Sequence, residues 1–459
     1  FAMLYRTIDE CVRLRPTVVE RFAATPCSPS RPWSLLLYFD GVSPNNPLDQ
    51  GVDEREMQCV YWTFAELDHL HDEDFWFTTA TCRAFLTDKQ LEGGMSRFLG
   101  CVMHTFFGGA EDLEKTGVQL EHGETDYVRI FARHRATIAD YKAHVQVFNA
   151  LGIAALKVCP TCRKLVHHDK MDTPIVGAGV EPYTSTDPAR WGRHTDVSIR
   201  ALAEKLRENA EAGRSMAELE KLHGARHNAY SIILDETLQY RAASTCLWDS
   251  MHCWLIKGVF FRTFESTFER LKELEKRSGD AFAPKAVDLQ TYLHDWRWAR
   301  ARGNSAKRVF DSGTLAGSAS DQLSVAPILR KYFADVVRPV AAASTTSAEA
   351  VAAIDCFVCA CDNVKLVRHA NLGWITPRTL KEFTFKFMGE CKAVFGEDNW
   401  AWKFHGAMEL CLQWESMQEF LPKLPHCSAT ERKHKGAKKH MKDKLSAISV
   451  ERGVLEDIF

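Results

Sequence analysis

The run WSLLLYFD at residues 33–40 is almost unbroken apolar sequence of strand length, ends on a carboxylate and is followed by Gly41. A continuous apolar run bounded by turn-forming residues is the signature of a strand buried on both faces. Upstream, the first 30 residues have helical patterning that breaks at Pro26, Pro29 and Pro32. Downstream, GVSPNNP (41–47) reads as a turn and MQCVYWTFAEL (57–67), rich in aromatic and β-branched residues, as a second strand. A third strand is expected within 75–85 and a helix over SRFLGCVMHTFF (96–107). DYVRIFARHRATIAD (126–140) reads as one further strand ending in Ala139-Asp140, with a helix over 141–151. Acids thus close the first and fourth strands.

Beyond that point the pattern changes. Residues 169–195 are rich in Pro, Gly and Thr and loop-like, and from Ile199 onward the spacing is almost entirely helical. The fold class expected is α+β, a mixed-sheet core followed by a largely helical C-terminal half. The boundaries expected are a helical lead-in (1–32), the first part of the core (33–158), an insertion holding a CxxC (159–245) and a helical segment that completes the core (246–337). A linker, RPVAAASTTSAEA (338–350), then leads to a C-terminal helical region with a basic tail (351–459).

A chain of 459 residues is long for one domain and suggests two or three. Its net charge of −2 means that any nucleic-acid contact must come from local basic patches. No apolar stretch reaches the 18 or so residues of a spanning helix, so no membrane partner is expected. No secretory signal is evident either, and the opening on Phe1 is expected of a fragment of a longer reading frame. Fifteen cysteines without regular spacing read as reduced thiols, some of them metal ligands, in a nuclear or cytoplasmic protein.

Asp40 and Asp140 each sit just past an apolar run. Carboxylates at neighbouring strand ends converge on one point, and a two-metal phosphoryl-transfer site needs such hard oxygen ligands. The competing role is that of turn former, the aspartate side chain capping the backbone that follows. Cys159-Pro-Thr-Cys162 begins nineteen residues after Asp140, with His167 and His168 close behind. Two thiolates on a tight turn make half of a tetrahedral zinc site. The other half comes from His167 or His168, or from His252 and Cys253. Cys356, Cys359 and Cys361 lie in an apolar helical stretch and read as core.

Taken in order, these segments resemble the catalytic domain of CACTA-type DNA transposases and related mobile-element proteins. Tyr38-Phe-Asp-Gly-Val-Ser-Pro-Asn-Asn-Pro47 is similar to their opening "DG-x-x-P", and Ala139-Asp140 with Cys159-Pro-Thr-Cys162 to their second aspartate and "CP-x-C". Trp248-Asp249-Ser-Met-His252 with Gly258-Val259 resembles their "D-x-x-H … G" element. His405 to Glu415, followed by Thr430-Glu431-Arg432, resembles their closing "H … E … ER". The resemblance implies an RNase H-like core with a zinc-knuckle insertion, a DDE/D triad, Mg²⁺ or Mn²⁺, structural Zn²⁺, and strand cleavage and transfer on double-stranded DNA. A nuclear location and a homo-oligomer are expected with it.

The third acid expected is Glu265, on a helix after the Asp249/His252 element. Glu269 one turn on, Asp249 itself and Glu431 are rivals. For DNA contact, RKHKGAKKHMKDK (432–444) carries seven Lys/Arg and two His against one Asp, and WRWARAR (296–302) adds a basic-aromatic patch around Trp298. Three readings of different classes follow: an active metal-dependent transposase, a derivative that binds DNA without cutting it, and a zinc-stabilised helical interaction protein whose aspartates are structural.

Overall fold

A computed structural model describes residues 15–42, 56–122, 126–173, 179–296, 310–311, 314–315, 317–397, 399–425 and 429–434. The chain divides into two compact units. The first holds the described residues up to Tyr183, Asp187–Leu247 and 429–434; the second holds Thr184–Thr186 and the described residues from Trp248 to 425.

The first unit is built on a mixed five-stranded sheet in the order β3-β2-β1-β6-β9. Its strands are β1 (Trp33–Val42), β2 (Met57–Phe64), β3 (Phe77–Arg83), β6 (Ala132–Ala139) and β9 (Cys246–Trp248). β1 runs antiparallel to β2 and parallel to β6, and β2 antiparallel to β3. β1 is central, which is why Trp33 to Phe39 can be apolar without alternation and buried throughout. β4 (Val118–His122) and β5 (Asp126–Ile130) form a hairpin of their own, and β7 (Leu165–Val166) pairs parallel with β8 (Glu181–Pro182).

The two sheet faces are distinct. Leu37 pairs with Trp62 across β1 and β2, and Trp62 meets Phe106 of the helix Gly94–Phe107 at 5.5 Å between ring centroids. On the same face His144 of the helix Tyr141–Val147 lies 6.3 Å from the Phe39 ring. Burying each such large side chain contributes about 1.5–3 kcal/mol. Tyr38, paired with Tyr61, points to the opposite face.

His134 in β6 is fully buried, stacks on Tyr240 at 5.5 Å and shares a hydrogen bond with Thr137 Oγ1 at 2.9 Å. Burial, with Arg241 beside it, pushes its imidazole from 6.5 down to about 3. A base with a depressed native pKa costs stability as pH falls below its unfolded value, here from 6.5 toward 3. His134→Phe keeps the ring stack and removes the proton site. Denaturant unfolding should show the parent losing roughly 2–3 kcal/mol more than this variant between pH 7.5 and 4.5; equal losses would remove His134 as the cause.

The second unit is helical. The helix Ser347–Asn371 packs against Val259–Ser278 and Pro377–Phe395. Phe357 gathers Phe260, Phe264 and Phe333 at 5.7, 5.4 and 4.8 Å between centroids. Cys356 and Cys361 are buried in this core, as expected, and Cys359 is half-buried. Residues 338–350, expected as a linker, are instead largely helical: Arg338–Ala342 is a helix and the next begins at Ser347. Alanine is the strongest helix former, so this alanine-rich stretch has helical propensity that a low-complexity reading overlooks. Among the described residues no helix is long and apolar enough to cross a membrane.

Gly258 joins the helices Ser250–Trp254 and Val259–Ser278. A Cβ there would sit 2.4 Å from the Cys253 carbonyl oxygen and 2.5 Å from the Trp254 carbonyl carbon, both backbone atoms that cannot swing aside. Gly258→Ala is therefore expected to destabilise the second unit by about 2–4 kcal/mol. A thermal unfolding midpoint unchanged from the parent would show that the turn has slack.

Candidate functional site

The parallel pairing of β1 and β6 ends with Phe39 opposite Ala139, so Asp40, still within β1, and Asp140, just past β6, follow side by side. Neighbouring strands lie about 4.8 Å apart, and paired residues point to one face. This alignment depends on an irregularity. Leu35 pairs with His134 but Leu36 with Ala136, so β6 carries one extra residue, Arg135. Without that bulge Asp140 would be one step out of phase with Asp40.

Each carboxylate is held by local donors. Gly41 N donates to Asp40 Oδ1 at 2.8 Å and the Tyr38 hydroxyl to Oδ2 at 3.2 Å. Ala143 N donates to Asp140 Oδ1 at 2.8 Å, making Asp140 the N-cap of the helix Tyr141–Val147. Both aspartates are half-buried. The turn-forming role weighed for Asp140 is thus present, and it leaves the residue on the shared strand edge. Of the turn GVSPNNP, Gly41 and Val42 end β1, while 43–47 lie outside the described residues.

A further acid joins them. Glu56, just before β2, reaches over Gly41, where a Cβ would meet its Oε1 at 1.9 Å. Lys142 Nζ stands 3.6 Å from the same oxygen. Glycine at 41 therefore gives this carboxylate its room. The signal for Glu56 was weak, because its place depends on how the hairpin after β1 closes.

The candidates for a third acid separate by unit. Glu265 and Glu269 lie on Val259–Ser278 and Asp249 at the start of Ser250–Trp254, all in the second unit. Glu265 pairs with Arg262 at 3.3 Å, and burial raises its carboxyl above the usual range. Glu431 belongs to the first unit, within the helical residues 429–434. His434, on the same helical face, sets its ring 6.4 Å from Tyr38 and 5.5 Å from Tyr61. Tyr38 is the residue whose hydroxyl holds Asp40. Sheet face, Asp40 and the segment carrying Glu431 thus come together in one unit.

The start of the basic run is engaged internally. Arg432 pairs with Glu73 and donates to His71 O at 2.7 Å, and Lys433 Nζ donates to Glu73 O at 3.2 Å. Burial pushes the Lys433 ammonium down to about 8. Residues 435–444 lie outside the described residues, as do 297–302 of the second patch with Trp298.

Cys159 and Cys162 are buried, with their sulfurs within 4.8 Å of one another. Their turn is pinned by His194 N, which donates to Thr161 O at 2.8 Å. His194 lines the same small cavity, about 40 Å³, as both thiols. Its Nδ1 is bonded to Ser198 Oγ at 2.9 Å, and burial, with Arg163 nearby, pushes the ring down to about 4, so it is neutral at pH 7. His194 lies in a loop distant in sequence from the CxxC, so nothing next to the cysteines points to it. His167 and His168 do not join the thiols; they gather with Asp169 instead.

His252 and Cys253 belong to the second unit. Asp249, fully buried, caps Ser250–Trp254 through Met251 N at 2.8 Å and holds His252 Nδ1 at 2.5 Å. A carboxylate on one ring nitrogen fixes the tautomer and turns the other outward, as metal-ligating histidines require. A Cβ on Gly406 would lie 3.4 Å from Cys253 Sγ, which brings the helix Trp402–Met417, with buried His405, against this turn. No protein-family model matches the chain, and no curated protein matches it.

Proposed function

We propose that this chain is a metal-dependent DNA transposase whose first unit is an RNase H-like core. The observation that carries the reading is the side-by-side placement of Asp40 and Asp140 where the parallel pairing of β1 and β6 ends. Three antiparallel strands, a helix, and a fourth strand parallel to the first with acids ending the first and fourth are what an RNase H-like core requires. Asp40, Asp140 and Glu431 would hold Mg²⁺ or Mn²⁺, because carboxylate oxygens are the hard donors these ions take. A pair of such ions stabilises the attacking and leaving oxygens of phosphoryl transfer. The protein's part is orientation: Gly41 N and Tyr38 fix one carboxylate, Ala143 N the other.

Double-stranded DNA as substrate, a nuclear location and a homo-oligomer belong to the same reading. A derivative that binds DNA without cutting it is favoured by one observation, the engagement of Asp140 as a helix cap. The deciding experiment incubates the purified chain with duplexes from the sequences flanking its own coding region, in Mg²⁺ and in EDTA. Mg²⁺-dependent nicks are expected. Binding without nicks leaves the second reading, and neither binding nor nicking removes both.

The zinc part of the proposal rests on the buried Cys159/Cys162 turn, whose sulfurs lie within 4.8 Å of one another. Thiolates and neutral imidazoles suit Zn²⁺, whose structural sites contribute directly to folding. Elemental analysis of Cys159→Ser/Cys162→Ser should find one zinc fewer per chain than in the parent, and an unchanged count removes these ligands.

A further inference from the structure

β7 ends at Val166, and the chain turns at once into the single helical turn His168–Lys170. That turn brings three donor side chains, adjacent in sequence, to one place. The His167 and His168 rings stack at 4.9 Å between centroids and 21° between planes, with the Tyr183 ring 5.3 and 5.4 Å from them. Asp169 faces both: Oδ2 lies 3.5 Å from His167 Nδ1 and Oδ1 lies 2.7 Å from His168 Nε2. The imidazoles are about four-fifths buried, whereas the Asp169 side chain is 66 % exposed. His167 Nδ1 is itself buried and makes no hydrogen bond.

We infer that His167, His168 and Asp169 form a binding site for a first-row divalent transition ion, Zn²⁺ being representative, separate from the Cys159/Cys162 turn. The inference is independent of the transposase reading. Two imidazole nitrogens and one carboxylate oxygen are the donor set of Zn²⁺, Fe²⁺, Co²⁺ or Ni²⁺ rather than of Mg²⁺ or Ca²⁺. Donors at about 2.0–2.2 Å in tetrahedral array stand roughly 3.3–3.6 Å apart; the observed 3.5 Å lies in that range, and the 2.7 Å pair would open slightly to admit the ion. Three protein ligands leave a fourth position for water on the open Asp169 side.

Asp169 lies within ion-pair distance of both rings, yet His167 Nδ1, which faces it, makes no hydrogen bond, and neither does His168 Nδ1. Two protonated rings stacked at 4.9 Å would also repel one another. A buried nitrogen without a hydrogen bond calls for a partner, and an ion shared with Asp169 supplies one.

The test uses the full chain carrying Cys159→Ser/Cys162→Ser, so that no signal comes from those thiols. After chelator treatment it is titrated with Co²⁺ by visible absorbance and with Zn²⁺ by competition against a chromophoric chelator. One ion per chain is expected, with a weak nitrogen/oxygen-type Co²⁺ spectrum. Asp169→Asn, exposed and so harmless to folding, should weaken binding roughly ten-fold or more, and His167→Gln/His168→Gln should abolish it. If the serine background fails to fold, native mass spectrometry of the otherwise unaltered chain replaces it, the histidine pair variant binding one ion fewer. Equal binding in parent and Asp169→Asn, or no ion in either, overturns the inference.

Discussion

Asp140→Asn is expected to lower Mg²⁺-dependent DNA cleavage about a thousand-fold, roughly 4 kcal/mol in barrier, while folding stability moves by less than about 1 kcal/mol. The two quantities should separate because the proposed reading gives the residue two roles. As the cap of Tyr141–Val147 it needs only an acceptor for Ala143 N, and asparagine caps as well as aspartate. Losing the charge at the helix N-terminus costs a few tenths to 1 kcal/mol more. As a metal ligand, by contrast, it needs an anionic oxygen, which the amide lacks. Asp140→Ala would confound the roles, since loss of the cap alone costs about 1 kcal/mol. Parent-level cleavage by Asp140→Asn would leave Asp140 a cap and nothing more.

Glu431→Gln should reduce cleavage about a hundred-fold or more, whereas Glu265→Gln stays within a few-fold of the parent. The difference is positional. His434 lies on the face of Tyr38 and Tyr61, and Tyr38 holds Asp40. Glu431 rides on the same helical turns, one turn before His434. Glu265 instead forms an (i, i+3) pair with Arg262, a common surface arrangement. Because the substitution is isosteric, DNA binding should persist in both variants. The reverse outcome, loss with Glu265→Gln alone, would move the third acid to the other unit.

Much of the first unit was legible because its strands announce themselves. WSLLLYFD became β1, MQCVYWTF became β2, and a third strand lies inside the expected window. The stretch 126–140 was expected as one strand but is two, β5 and β6. Apolar and β-branched composition shows extended chain, but it does not reveal that β5 pairs with β4 while β6 joins the main sheet. β9 was missed altogether: three residues between helices are too few for any period to emerge.

For the candidate site, the nearness of Asp40 and Asp140 to the ends of β1 and β6 was readable in the sequence. Glu56 and His194 were not, since each is brought in by a loop closure or a distant segment. The expected core-completing segment, 246–337, proved the hardest to read. Only Cys246 and Leu247 belong to the first unit, whose last described piece is 429–434. The intervening helices have the same amphipathic character as core helices, so patterning does not distinguish them.

That arrangement sets a timetable for biosynthesis. The ring of Tyr38 is made early, and the His434 that lies against it comes off the ribosome some 400 residues later, roughly 20–80 s at usual elongation rates. During that interval the second unit, whose chain is interrupted only slightly, can fold, while the sheet waits with Tyr38 and Tyr61 lacking their final cover. Closing so long a loop is slow but thermodynamically inexpensive. Nascent chains stalled before residue 429 should therefore bind chaperones through this sheet face, and release them once the last turns emerge.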